Sequence, residues 1–110
     1  MKKLIISASL LAPALKKLSQ AVNKATVLPV LSNILLKASE NQVILIASDL
    51  EITIHYKLVC ECKVEFECLV PFEFLNKIVA LNKNCPLTIE AGKTVKIAGP
   101  NDEYEVNGFH

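Results

Sequence analysis

The chain has 110 residues, one domain by length, with 52% apolar residues, 21% charged residues and a net charge of +1. That composition excludes a disordered or fibrous chain, and so small a net charge does not by itself point to a nucleic-acid partner. All twelve basic residues are lysines. Without a guanidinium fork, any nucleic-acid contact is made by lysine charges against phosphates, blind to sequence and weakened by salt.

Met1-Lys2-Lys3 and the apolar run that follows have the outline of a signal peptide. Ser7, Ser9 and Pro13 interrupt the run, and no stretch nears the ~18 apolar residues of a membrane span. Lys3 to Ser7 reads instead as a short strand. Ser9 is expected to cap a helix whose apolar positions Leu11, Leu15, Leu18 and Val22 recur at three- and four-residue spacing, ending near Asn23-Lys24. Pro13 falls in its first turn, where a missing N–H costs little. Pro29 breaks an extended loop. Asn33 to Ala38 and Gln42 to Ser48 alternate as two strands, and Glu51 to Tyr56 gives a third.

Lys57 to Val70 holds a long alternating run, VCECKVEFECLV. Pro71 stands at a helix start, which suits its fixed φ, and Phe74, Leu75, Ile78, Val79 and Leu81 give the apolar stripe. Leu87 to Glu90, Thr94 to Ala98 and Glu103 to Val106 follow as three strands. The two halves answer each other: LLKASENQVILIASDLEITI in the first corresponds to LTIEAGKTVKIAGPNDEYEV in the second. The pattern predicts an α+β domain over residues 1–110. It is built from two strand-helix-strand-strand-strand units about a pseudo-two-fold, with two helices on one side of antiparallel sheets.

Charge divides the same way. Residues 10–24 hold Lys16, Lys17 and Lys24 and no acid, and residues 71–85 hold Lys77 and Lys83 against Glu73. The helical segments therefore carry +4 and the rest of the chain −3, given the total of +1. Lysine is also a good helix former on any solvated surface, but helices on one face would make that face positive and the sheets negative.

Cys60 and Cys62 lie two apart and are expected on one strand face. With Cys68 and Cys85 they do not make zinc-ligand spacing, and the histidines are only His55 and His110, so buried free thiols of a cytoplasmic protein fit better than a metal site. No nucleophile–base pair and no phosphate loop stands out. Glu61, Glu65 and Glu67 could imitate paired carboxylates but read as a solvated strand face. No enzyme activity, cofactor or metal is expected.

Thr26, Leu28, Pro29, Leu31 and Asn33 form a Thr-x-Leu-Pro-x-Leu-x-Asn series. Two alternating strands and a Ser-Asp-Leu-Glu step from Ser48 to Glu51 follow it. The ordered set resembles the first domain of bacterial sliding clamps, the β subunit of DNA polymerase III. The resemblance runs from the first strand through Val106 and includes the Val70-Pro71 step.

It implies a non-catalytic processivity factor that encircles double-stranded DNA without reading its sequence, with helices lining the hole and sheets forming rim and seams. The phosphate-facing residues it implies are Lys24, Lys16, Lys17 and Lys77. Phe74, Ile78, Tyr104 and Val106 take the subunit-interface positions, for head-to-tail self-association in the full-length clamp. Asn101, Asp102, Glu103 and Glu105 depart from the basic character of the family seam. Thr26, Leu28, Pro29, Asn33, Asp49 and Leu50 are expected to set turns and core, Asp49 closing its own turn.

Such clamps string three domains, so this chain is expected to be the first. The surfaces for the replicative polymerase and the clamp loader would lie in the others. A different class of reading, a standalone clamp-fold interaction module with no DNA role, keeps the same fold.

Overall fold

Ser7 both ends the first strand and starts the first helix. Its backbone is extended (φ −72°, ψ 138°) and its hydroxyl accepts from the Ser9 N–H, the geometry of an N-cap. The structure is a computed structural model that describes residues 2–22 and 32–107. In chain order the elements are β1 (Lys3–Ser7), α1 (Ala8–Leu18), a 3-10 turn (Ser19–Ala21), β2 (Asn33–Ser39), β3 (Gln42–Ser48) and β4 (Thr53–Val59). Then come β5 (Glu61–Cys62), β6 (Phe66–Pro71), α2 (Phe72–Leu81), β7 (Pro86–Ala91), β8 (Val95–Ala98) and β9 (Glu103–Val106).

The strands form two antiparallel sheets, in the orders β5-β1-β7-β8-β9 and β4-β3-β2-β6. Each repeat unit lends its first strand to the other. β1 pairs with β7 of the second unit, Ile5 opposite Thr88, and β6 pairs with β2 of the first, Leu36 opposite Cys68. This exchange realises the pseudo-two-fold and leaves β5 as the one addition to it. The helices pack on each other. Leu11, Leu15 and Leu18 of α1 and Leu75, Ile78 and Val79 of α2 share one core with Leu36, Leu45, Leu87 and Ile97. The expected α+β class and helix–sheet layering are therefore what the chain adopts.

Several boundaries differ from the sequence reading, each for a local reason. The cap is Ser7, and the Ser9 hydroxyl, two residues on, hydrogen-bonds the Ser7 hydroxyl at 2.7 Å. α1 therefore begins at Ala8, and Pro13 sits in its second turn, on the exposed side. The helix gives way at Ser19, whose hydroxyl takes the Lys16 carbonyl at 2.6 Å. Lys16 and Lys17 occupy the last turn, where cations favour the helix dipole.

The third strand starts at Thr53 and not Glu51, because Asp49 Oδ1 accepts from the N–H groups of Glu51 and Ile52 at 3.0 and 2.9 Å. Those bonds hold the Asp49 carboxyl below its usual pKa, Ile52 contributing most and Glu51 next. Asp49 thus closes its own turn, as expected. Leu50 is 77% exposed, so it belongs to the turn and not the core. Its φ of 81° places it in the left-handed region that non-glycine residues avoid.

The 57–70 run is three pieces. β4 ends at Val59, the chain turns so that β5 can pair with β1, and β6 starts at Phe66 in the other sheet. The Asn41 backbone bridges the turn, donating to the Cys62 carbonyl at 2.9 Å and accepting from Cys60 N–H at 3.3 Å. Cys60 and Cys62 are both buried.

Candidate DNA-facing helices and seam strands

Each helix has an inner stripe fixed by its leucines, and the lysines are placed relative to it. On α1, Leu11, Ala14, Leu15 and Leu18 are buried while Lys16 and Lys17 are exposed. Residues advance about 100° per position, so the two lysines fall on either side of the direction opposite the core. On α2, Leu75, Ile78 and Val79 face inward and Lys77 is exposed. Lys77 points almost directly away from the buried stripe by the same rule.

Between the helices lies a groove lined by Ala8, Ser9 and Ala12 of α1 and by Asn76, Val79, Ala80 and Lys83 around the end of α2. The start of α1 thus meets the end of α2, and the helices run antiparallel. Lys16, Lys17, Lys77 and Lys83 therefore share the helical layer. Lys24, the remaining lysine expected there, lies outside the described residues, as do Thr26, Leu28 and Pro29. Asn33 is buried at the start of β2.

The expected seam residues separate into two kinds. Phe74 is 53% exposed and has Leu81, 63% exposed, on the same flank of α2. Ile78, expected beside Phe74, is 3% exposed and belongs to the core. Four residues advance a helix by about 40° beyond a full turn, and here that rotation carries the side chain from the surface into the inner stripe. On β9, Val106 is 6% exposed and also inward, whereas Tyr104 is half-buried at the margin of the core.

A residue absent from the sequence reading ties α2 to β9. Asn82, 7% exposed, follows the last turn of α2. Its own N–H goes to the Val79 carbonyl at 3.2 Å. Its side-chain amide donates to the Ile78 carbonyl at 2.8 Å and to the Tyr104 hydroxyl at 3.3 Å. The Tyr104 hydroxyl in turn donates to Asp102 Oδ2 at 3.0 Å. Gly99 packs against this amide so closely that a Cβ there would collide with Asn82 Oδ1. The only sequence signal was an asparagine just past the apolar stripe, a common helix-stop residue.

The sheets do not carry the acidic balance equally. Outward positions of the five-stranded sheet hold Lys3 and Lys96 against Glu61, Glu90, Glu103 and Glu105, with Lys3 opposite Glu90 and Lys96 opposite both Glu90 and Glu105. In the four-stranded sheet the outward charges are Lys37, Lys57 and Glu67, with an ion pair of 3.8 Å between Lys37 and Glu67.

Cys60 and Cys68 have thiols pushed up to about 11, in both cases first by burial, with the neighbouring Cys62 adding to the effect at Cys60. They are poor nucleophiles and poor metal ligands in that state. Among the described residues no group of three or more His, Cys, Asp or Glu could hold a metal ion, and no helix is long and apolar enough to cross a membrane.

The family model for the DNA polymerase III beta subunit, N-terminal domain, matches residues 2–109. No curated protein sequence matches the chain. Among solved structures it is similar to the DNA polymerase sliding clamp of Caulobacter crescentus, with 23% identity and a TM-score of 0.91, over 99% of this chain and 30% of that one. A Pseudomonas aeruginosa sliding clamp bound to griselimycin gives 24% identity and a TM-score of 0.90, over 97% and 30% of the two chains. The DNA polymerase beta subunit of Streptococcus pyogenes gives 18% and 0.89, over 98% and 30%. At these identities the likeness is one of fold, and the chain spans about 30% of the length of each clamp.

Proposed function

The chain belongs to the DNA polymerase III beta subunit family, as its N-terminal domain, and from that premise we propose that it is a non-catalytic part of a sliding clamp. In this reading the helical layer faces duplex DNA, and processivity comes from topology, not from affinity. Lys16, Lys17 and Lys77 meet phosphates from the helices, and Lys24, which follows α1 in the sequence, joins them. Lysine suits such sliding contacts, because a hydrated point charge on a flexible stem neutralises any phosphate it passes without locking to one.

Phe74 and β9 supply one side of a head-to-tail seam, with Ile78 and Val106 supporting that surface from inside. The replicative polymerase and clamp loader would engage other domains of such a clamp, in the cytoplasm. The observation that carries this reading is the exposed Lys16, Lys17 and Lys77, set against the one acid Glu73, on two packed helices within a clamp fold.

The test is a nuclear magnetic resonance titration of the chain with a mixed-sequence DNA duplex at low salt. Amide shifts are expected to concentrate on α1 and α2 and to be the same for a scrambled duplex. Replacing Lys16, Lys17 and Lys77 by glutamine should flatten the dependence of log affinity on log salt by about 0.9 per lysine. Shifts confined to the outer sheet faces, or a slope unchanged by the triple substitution, would refute the assignment.

A further inference from the structure

The core side of the four-stranded sheet packs with the helices, and the opposite face is turned to solvent. On that outer face Leu69, Leu35, Ile46 and His55 form a row across all four strands, each opposite the next in register. Ile44 lies two residues along β3 from Ile46, between Lys37 and Lys57. Leu35, Ile44, Ile46 and Leu69 are all half-buried, while Lys37, His55 and Lys57 are exposed at their margin. An apolar cluster on a solvent face with a polar rim has the form of an interaction surface.

Strands favour aliphatic residues on either face, but the chain contains its own control. The pseudo-two-fold matches the hairpin β2-β3 to β7-β8, with Lys37 opposite Ile44 answering Glu90 opposite Lys96. In the same register Leu35 answers Thr88, Ile46 answers Ala98, His55 answers Glu103 and Lys57 answers Glu105. Among the four aliphatic residues, Leu69 alone has a large apolar counterpart, Ile5. The fold therefore accepts small or polar side chains at these positions, and the aliphatic cluster is not required to build the sheet.

We propose that the outer face of the four-stranded sheet docks an amphipathic helix of another protein, with an aliphatic stripe and acids along one flank. β2 and β3 are paired on both sides, so the middle of the patch offers no backbone edge to an added strand, and side chains must make the contact. The row spans three strand spacings, roughly 14 Å, which is close to the ~16 Å of three helical turns. Charge sets the flank. Lys37 is already paired with Glu67 at 3.8 Å. Lys57 faces Ile44, and among the described residues no outward position of β3 or β4 is acidic, so Lys57 is left to meet an acid of the partner. The site goes beyond the DNA-facing reading and does not rest on it, because Lys16, Lys17 and Lys77 belong to the helical layer on the other side of the sheet.

The probe is a designed, helix-stabilised peptide of about 12 residues, with leucines at helical spacing and glutamates on one flank. It is titrated into the isotope-labelled 110-residue chain up to about 1 mM. Saturable amide shifts are expected on β2, β3, β4 and β6. Giving the site its counterparts' residues, Leu35→Thr with Ile44→Lys and Ile46→Ala, should weaken binding at least about tenfold while the spectrum stays native. Lys57→Glu, an exposed change, should weaken the glutamate-flanked peptide and favour a lysine-flanked one.

Absent shifts, shifts away from this face, full affinity in the triple variant, or no change of flank preference in Lys57→Glu would overturn the proposal. So would tighter binding to vesicles of phosphatidylcholine and phosphatidylglycerol, or self-association of the chain that the triple variant abolishes, since each gives the face another occupant. Duplex shifts centred on α1 and α2 are read separately, so this site and the DNA-facing reading fail independently.

Discussion

Replacing Asn82 by alanine tests whether α2 and β9 are held together by one amide. The substitution removes the donor that serves the Ile78 carbonyl at 2.8 Å and the Tyr104 hydroxyl at 3.3 Å. The Asn82 N–H does not stand in for it at that carbonyl, because it is spent on Val79. A buried acceptor left without a donor costs about 1–3 kcal/mol, and the second bond adds about 1 kcal/mol, so the loss is roughly 2–4 kcal/mol. For a domain of this size each kcal/mol lowers Tm by about 4 °C, which gives a fall of roughly 8–16 °C.

Urea unfolding followed by circular dichroism at unchanged slope would measure the same loss. The aspartate variant sharpens the test. A carboxylate at position 82 has no proton to give the Ile78 carbonyl, so its folded pKa rises above the unfolded value. Its stability is therefore nearest wild type below the unfolded carboxylate pKa and is lost as pH rises through the folded one. Asn82→Ala within about 0.5 kcal/mol of wild type, or Asn82→Asp with no such pH dependence, would refute the role given to this amide.

Cys68 should make the fold sensitive to alkali: its thiol is raised from 9.0 to about 11 by burial. Stability is thus full below pH 9 and falls by up to roughly 2–3 kcal/mol as pH rises toward 11. Thermal scans of wild type against Cys68→Ala should show a shallower slope in the variant, the remainder coming from Cys60, whose thiol is also raised to about 11. In the folded protein a thiol reagent at pH 8 should modify half-buried Cys85 well before Cys60 and Cys68; simultaneous reaction of all three would contradict their burial. Asp49 should titrate below its ordinary carboxyl value, and Asp49→Ala should lower Tm progressively less as pH falls through that folded pKa, a difference thermal scans from pH 2 to 7 would reveal.

Periodicity carried much of this architecture, and the family resemblance of the Thr26 to Ile54 stretch carried its identity. Alternation at 33–48 and the leucine spacings of both helices are local facts, and tertiary packing had no cause to override them. What stayed hidden depended on partners distant in the chain. The run from Lys57 to Val70 alternates without a break, yet Glu61 must reach Ile5 and Leu69 must reach Leu35, in different sheets. No pattern within the run announces that change. Ser7 and Ser9 are equally good caps by composition, and the choice falls to Ser7 because it is paired with Pro86 as the last residue of β1. The positions of Ile78 and Phe74 depended on where the core stripe is centred, which sequence spacing leaves open over several tens of degrees.

The exchange of β1 and β6 ties these local features to function. Since each unit completes the other's sheet, neither half can bury its apolar face alone, and the two helices are fixed with respect to both outer strands by the same core. The lysines of the helical layer and the outer strand β9 are then joined through one core. Asn82 is where it can be tested, because its amide spans the end of the helix bearing Lys77 and the strand bearing Glu103 and Glu105. If the coupling is real, Asn82→Ala perturbs association through β9 under conditions where the domain is still folded, although residue 82 touches no partner. A variant that loses stability but associates as before would mean that the edge strand keeps its place without the helix.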